Sequence, residues 1–251
     1  MKVQSLWMSD LHLGTKACNA DLILEVLKFF KTDTIILNGD TIDFWQMGFS
    51  RSWTKKHNDV LRLIFKKARN GTKIISTIGN HDEVLREYEP FNLDNIHVVN
   101  QYSYNSISHG KILFIHGDAF DFIIKSNVWL AKLGAVAYEF LISINHYYNV
   151  FRKLLGKEYW SLSKYLKTET KKRIGILNTF DTAVVEYAKR HNFDCVSAGH
   201  IHIPENKCIN GMLYMNTGDM CETGSFIIEK LDGELVLVTD FVEYKKSLIS
   251  A

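Results

Sequence analysis

The sequence predicts an α/β fold with a strand-rich C-terminal end. Two observations carry this reading. In the first half, short apolar runs of strand length alternate with longer runs that are apolar at helical spacing. Near the C-terminus, the dipeptides Asn210-Gly211 and Asp232-Gly233 punctuate strand-like runs, as hairpin turns do.

The elements follow in order. Val3 to Met8 is a short apolar run and reads as a strand. Leu22 to Phe30 is apolar on nearly every turn and reads as a helix. Thr34 to Leu37 reads as a buried strand. Val60 to Ala68 has helical spacing and stops at Asn70-Gly71, where glycine allows the left-handed turn that ends a helix. Lys73 to Ile78, Lys111 to Ile115 and Phe193 to Ala198 are strand-like. No internal repeat and no low-complexity segment interrupts the pattern.

Composition excludes several classes. The 251 residues carry a net charge of +2, with 46% hydrophobic and 23% charged residues, so disorder is excluded. A general polyanion binder is excluded by the same balance, and no nucleic acid is expected as a partner. There are only 2 prolines, where average usage would give about 12, so no Pro-rich linker is present. The four cysteines, Cys18, Cys195, Cys208 and Cys221, form no CxxC pair and suit a reducing cytoplasm. The N-terminal apolar stretch is too short for a signal peptide. The longest nearly uncharged stretch, Leu133 to Phe151, contains Glu139, which would be costly in lipid.

The segment from about Phe120 to Arg173 stands apart as an aromatic, helical pattern without a clear strand. It holds ten basic and four acidic residues, a net of +6, which leaves the rest of the chain at −4. It reads as a helical cap over about 120–173 inserted into a single domain spanning 1–251. Its aromatic residues could line an apolar cleft. Its lysines could meet an anionic substrate or provide peripheral contact with the inner membrane surface. A helical subdomain packed on itself is the alternative.

Five short blocks sit just after strand-like runs. They are Asp10-Leu11-His12, Gly39-Asp40 with Asp43, Gly79-Asn80-His81-Asp82, His116-Gly117-Asp118 and Gly199-His200-Ile201-His202. At a strand end, residues i and i+2 point to the same side, so Asp10 can converge with His12 and His200 with His202. In α/β sheets, sites form beyond the carboxyl ends of strands. The candidate ligands are Asp10, His12, Asp40, Asn80, His116, His200 and His202. This nitrogen and oxygen set without thiolate suits two divalent ions of the manganese, iron or zinc kind. Such a pair clamps a phosphoryl group and acidifies a bridging water, so hydroxide attack is expected. His57, His97, His109, His146 and His191 fall in no block and read as structural or exposed.

These blocks, in this order, resemble the calcineurin-like metallophosphoesterase superfamily from Asp10 to His202. The resemblance implies a four-layer α/β/β/α sandwich with a dinuclear centre, manganese being the first expectation and iron or zinc the alternatives. It implies that Asp10, His12, Asp40 and His202 hold one ion. Asp40, Asn80, His116 and His200 would hold the other, with Asp40 bridging. His81 resembles the histidine that contacts phosphate and protonates the leaving group, and Asp82 would orient it. Asp43 resembles an acid that supports the ligands, with a helix N-cap as the equal alternative.

Within the superfamily, SDLHLG, NGDTIDFW and GHIH look like the UDP-2,3-diacylglucosamine pyrophosphatase group of lipid A biosynthesis. LGAVAYE, YWSLS and NTGDMCE look like a relative of that group. The resemblance implies a lipid-linked nucleotide substrate, giving UMP and an acylated sugar phosphate. Position 81 departs from that group, since it is His here and Arg there. This departure favours the alternative of a phosphatase or phosphodiesterase acting on soluble nucleotides or phosphoproteins. A catalytically silent scaffold would be expected to lose ligands, whereas every expected ligand is present.

Overall fold

The computed structural model describes residues 1–49, 52–121 and 180–250. The expected cap over about 120–173 lies, apart from residues 120 and 121, outside the described residues. The chain forms two compact units, one of Met1–Asp118 with Val184–Ala251 and one of Ala119–Ala183. In the second unit, the Phe120 and Phe180 rings meet edge to face with centroids 6.3 Å apart. No described helix is long and apolar enough to cross a membrane.

The first unit is an α/β structure with two sheets. Its elements are β1 (Lys2–Met8), α1 (Ala20–Phe29), β2 (Lys31–Asn38), α2 (Phe44–Phe49), α3 (Lys55–Arg69), β3 (Lys73–Thr77), β4 (Phe91–Leu93), β5 (Ile96–Val99), β6 (Gln101–Ser106) and β7 (Gly110–Ile115). After the second unit come α4 (Phe180–Arg190), which begins there, β8 (Cys195–Ala198), β9 (Glu205–Ile209), β10 (Met212–Asn216), β11 (Phe226–Glu229), β12 (Leu235–Val238) and α5 (Phe241–Ser250). One sheet has seven strands in the order β12-β11-β1-β2-β3-β5-β4, and the other has five in the order β6-β7-β8-β10-β9.

The two-residue period of the strands divides the core. Leu6, Ile35 and Ile74 are in register across β1, β2 and β3 and pack with α1, α3 and α5. Their neighbours Trp7, Ile36 and Ile75 point to the opposite face. There they meet Ile112, Phe114, Cys195 and Met215 of the five-stranded sheet. Trp7 anchors this inter-sheet core, edge-on to Phe114 at 4.8 Å. One buried carboxylate, Glu229, crosses the same layer. It accepts from Ser5 Oγ at 3.1 Å, Ser106 Oγ at 2.6 Å and Ile107 N at 2.8 Å, and from the Tyr104 hydroxyl.

Local signals fix the helix ends. Asn19 Oδ1 accepts from Leu22 N at 3.1 Å and starts α1. At the start of α3, Thr54 and His57 form a reciprocal cap, each side chain accepting from the other's backbone N–H. That role accounts for buried His57, which the sequence reading set apart from the site. Asn210-Gly211 joins β9 to β10 and Asp232-Gly233 joins β11 to β12, as expected. Strands β4, β5 and β6 had no counterpart among the expected elements. β4 is exposed at all three positions and β6 reads Gln-Tyr-Ser-Tyr-Asn-Ser, so neither gives an apolar run.

Parallel pairing of β1, β2 and β3, and of β7 and β8, sets their carboxyl ends side by side. Asn38, the last residue of β2, joins the two sheets at that edge. Its Nδ2 donates to Ile115 O and Ser197 O, each at 3.2 Å, and its Oδ1 accepts from Thr77 Oγ1 at 2.8 Å. All five sequence blocks leave from this edge.

Candidate metal centre

The loops at this edge run in an unusual backbone conformation. Asp10, His12, Asp40, His200 and His202 have φ values between +46° and +68°. Asp and His enter this left-handed region more readily than most side chains, yet it still costs on the order of 1–2 kcal/mol per residue. Such strain persists where the surroundings over-determine it. Here the loops are tied together, with Asp10 N donating to Gly39 O at 3.1 Å and His12 N to Asp40 O at 2.9 Å. Glycine is needed at two crossings. A Cβ on Gly79 would lie 2.1 Å from Asp40 Oδ1, and one on Gly39 would lie 2.2 Å from His116 Nδ1.

The side chains converge in three overlapping groups, one of them formed by His12, Asp43 and His81, and the other two by the expected ligands. Ligand atoms of Asp10, His12 and His202 lie within 4.8 Å of one another, as do those of Asp10, Asp40 and His116. His202 Nε2 is 3.1 Å from Asp10 Oδ1, and His116 Nε2 is 3.2 Å from Asp40 Oδ2. Asp40 Oδ2 also lies 3.9 Å from His12 Nε2, so this carboxylate stands between the two ligand groups. Asp10 belongs to both groups as well. His200 joins through its N–H, which donates to Asp10 Oδ2 at 3.2 Å, and its ring lies 5.2 Å from that of His116.

These close approaches are not aligned as hydrogen bonds. Asp10 Oδ1, His12 Nε2, Asn80 Oδ1 and His116 Nε2 are buried and make none. Buried polar atoms seldom go unpaired. Lone pairs of oxygen and nitrogen that converge without pairing are the donor set of hard-to-borderline divalent cations, so these residues fit a metal centre. The electrostatics agree. Burial alone would raise the Asp10 and Asp40 carboxyls. His116 together with His202 for Asp10, and His116 for Asp40, outweigh it and hold both below the usual range. Burial would lower His116, but Asp10 and Asp40 push it up to about 10. The site therefore draws positive charge strongly, whether a proton or a metal ion carries it.

His81 stands beside the two ligand groups. Its N–H donates to Asp40 Oδ1 at 2.8 Å, and its ring lies edge-on to His12 at 4.7 Å. The expectation that Asp82 orients His81 is corrected here. Asp82 Oδ1 accepts from Gly79 N at 2.6 Å and Oδ2 from Thr41 N at 2.8 Å, so it pins the two loops together. Burial first, and then Asp40, push its carboxyl up to about 6. The carboxylate beside His81 is Asp43, whose Oδ2 lies 2.8 Å from His81 Nδ1 and 3.0 Å from His12 Nδ1. Its Oδ1 accepts from Gln46 N at 2.7 Å at the start of α2. Both readings of Asp43 therefore hold together, one oxygen capping the helix and the other supporting two rings.

Three residues had no assigned role in the sequence reading. Asn38 is one, and a polar residue closing the apolar Thr34–Leu37 run was its signal. Asp219 is fully buried, 3.9 Å from His202 Nδ1, and its carboxylate gathers the N–H groups of Cys221 and Glu222 at 2.7 and 2.5 Å. The Trp45 ring lies tilted against that of His81, with centroids 4.4 Å apart, and its Nε1 donates to Glu83 Oε1 at 3.2 Å. Beside the centre opens a cleft of about 510 Å³ lined by His12, Asp43, His202, Thr15, Lys16 and Gln46, among others.

Comparison with known proteins identifies one family. The profile described as calcineurin-like phosphoesterase matches residues 5–204. No protein of curated function matches the chain. Among solved structures, the chain is similar to an archaeal phosphodiesterase, with 17% identity, coverage of 94% of this chain and 99% of the other, and a TM-score of 0.45. It is similar to Yfce, a phosphoesterase from E. coli, with 12% identity, 94% and 98% coverage and a TM-score of 0.45. It is also similar to Vps29 complexed with zinc from Entamoeba histolytica, with 15% identity, 93% and 89% coverage and a TM-score of 0.45.

Proposed function

The chain belongs to the calcineurin-like phosphoesterase family, and on that premise we propose a hydrolase of phosphodiesters or phosphoanhydrides that works with two divalent cations. Manganese is the first choice, and iron and zinc also suit this donor set. The observation that carries the reading is the set of buried, unpaired donor atoms on Asp10, His12, Asn80 and His116. Asp10, His12, Asp40 and His202 would hold one cation, and Asp40, Asn80, His116 and His200 the other. Bound there, the pair supplies Lewis acidity, offsetting phosphoryl charge and acidifying water.

The chain's own residues do the rest. Hydrolysis joins water's oxygen to phosphorus and breaks the bond to the leaving group, which departs with the electron pair and needs a proton. Asp43 Oδ2 lies against His81 Nδ1 at 2.8 Å, which leaves Nε2 as the ring nitrogen to serve the substrate. Trp45 packs beside the ring and limits its movement.

For the substrate, the stretches SDLHLG, NGDTIDFW and GHIH support UDP-2,3-diacylglucosamine, with the basic segment 120–173 meeting its anionic part or an anionic membrane surface. His81 in place of Arg supports a second reading, soluble nucleotides or phosphoproteins, because imidazole can serve as an acid where guanidinium cannot. A panel with added manganese decides between them, comparing UDP-2,3-diacylglucosamine, plain UDP-sugars, cyclic nucleotides, a phosphopeptide and an aryl phosphodiester. Release of UMP from the acylated substrate alone supports the first reading. Equal turnover of unacylated nucleotides or of the phosphopeptide supports the second. No metal-dependent turnover of any member refutes the hydrolase reading. His81→Ala should lower turnover more on poor leaving groups than on aryl esters.

A further inference from the structure

We infer that the cleft beside the metal centre is a leaving-group subsite in which Lys16 binds a second phosphoryl group, so that phosphoanhydrides are preferred over simple diesters. The inference rests on the hydrolase reading above and narrows its substrate class.

The cleft begins at the catalytic edge. Its 510 Å³ is lined by His12, Asp43 and His202 together with Thr15, Lys16, Gln46 and Glu222. The His12 ring is edge-on to His81, and Asp43 lies against both rings. A leaving group that takes its proton from His81 therefore departs beside His12, into this cleft. A second cavity of about 460 Å³ shares Thr15 and Lys16 with the first and is also lined by Asp21, Trp53, Lys56 and His57. A cleft of about 510 Å³ leaves room for an extended leaving group rather than a small alkoxide.

Charge identifies what would sit at the junction. Lys16 is the one lysine or arginine lining the first cleft among the described residues, and its exposed ammonium makes no ion pair there. Lys56, in the second cavity, is already paired with Asp21. Position 16 is also well placed. Thr15 Oγ1 donates to His12 O at 3.0 Å and accepts from Cys18 N at 3.2 Å, so the turn bearing Lys16 is tied to a candidate ligand. The metal pair offsets charge on the reacting phosphoryl group only. A second phosphoryl group entering this cleft would meet Asp43 and Glu222, and it needs a cation of its own. A lysine ammonium on a flexible stem suits that task. In a phosphoanhydride, the bridging oxygen leaves with the electron pair on that second phosphoryl group. A simple diester has no group to place there.

The test compares wild type, Lys16→Ala and Lys16→Arg, as full chains loaded with manganese, on a UDP-sugar and on an aryl phosphodiester. The ratio of kcat/KM for the diphosphate to that for the diester should fall about tenfold in Lys16→Ala, carried by KM, as expected for one charge-assisted contact. Lys16→Arg should restore most of it. A ratio within twofold of wild type, or a fall carried by kcat with KM unmoved, overturns the subsite. A wild type that cleaves the diester but not the diphosphate also overturns it and leaves the hydrolase reading standing. A wild type that cleaves neither refutes the hydrolase reading itself.

Discussion

Replacing Gly79 by Ala tests the centre through packing alone, without removing a ligand. The new Cβ would lie 2.1 Å from Asp40 Oδ1 and 2.7 Å from Asp40 N, whereas ordinary contact begins at 3.4 Å. The carboxylate must retreat by about 1.3 Å to restore van der Waals contact, and the backbone nitrogen beside it blocks part of that retreat. Such a shift exceeds the roughly 0.2 Å tolerance of metal–ligand distances several-fold. It also lengthens the 2.8 Å bond from His81 N to Asp40 Oδ1. Metal affinity should therefore fall by about 100-fold or more, the upper end of what disturbing a ligand's support does. Overpacking should also lower stability by about 1–3 kcal/mol, roughly 3–10 °C in Tm for a chain of this size. The assay is calorimetric titration with manganese beside thermal melts in chelator. Gly71→Ala is the control. Gly71 has φ +96° with nothing within 4 Å of an added Cβ, so Ala there should lower Tm and leave metal affinity alone. A Gly79→Ala protein that binds manganese with wild-type stoichiometry and within threefold of the wild-type Kd would refute the crossing of these loops as drawn.

Two further outcomes are expected. In metal-free protein, the Asp82 carboxyl stands at about 6 against its ordinary 3.8, so the fold binds this proton more tightly than the unfolded chain does. Its contribution is complete below pH 3.8 and is lost as pH rises through 6, on the order of 3 kcal/mol in all. Asp10 and Asp40 are shifted downward and act below about pH 4. His116, raised to about 10, loses its contribution only as pH rises from 6.5 through 10. Urea denaturation in chelator between pH 4 and 6 should show the decline for wild type and a flatter limb for Asp82→Asn; identical slopes would remove Asp82 as the cause. Second, Glu229→Ala strands the buried partners at Ser5, Tyr104, Ser106 and Ile107. It should destabilise by about 3–5 kcal/mol while folded molecules keep their metal affinity, and denaturant midpoints with manganese titrations check both halves.

Much of this was readable in the residues because the strands that place the centre are buried on both faces. β1, β2, β3, β7 and β8 are rich in apolar residues and largely buried, and every block follows one of them. β4 and β6 escaped because exposed or alternating polar strands lack that signal. Within the site, atom types were legible and pairings were not. Asp82 directly follows His81 and Asp43 lies far from it in sequence, so sequence proximity pointed to the wrong carboxylate. Only the turn of the Gly79–Asp82 loop sends Asp82 toward Gly79 N and Thr41 N, and leaves Asp43 against His81. Asp219 needed the fold as well, since it reaches His202 from the far side of β10 in sequence.

The left-handed backbone at Asp10, His12, Asp40, His200 and His202 also bears on how such a chain can change over generations. Each of these positions holds a residue that the local backbone would exchange for glycine, and asparagine, which also enters this region readily, would keep hydrogen-bonding capacity there. Drift toward a more stable protein and drift toward an inert one therefore run in the same direction here. Persistence of all five side chains must be maintained against a standing stability gradient, and turnover of substrate is the property that opposes it.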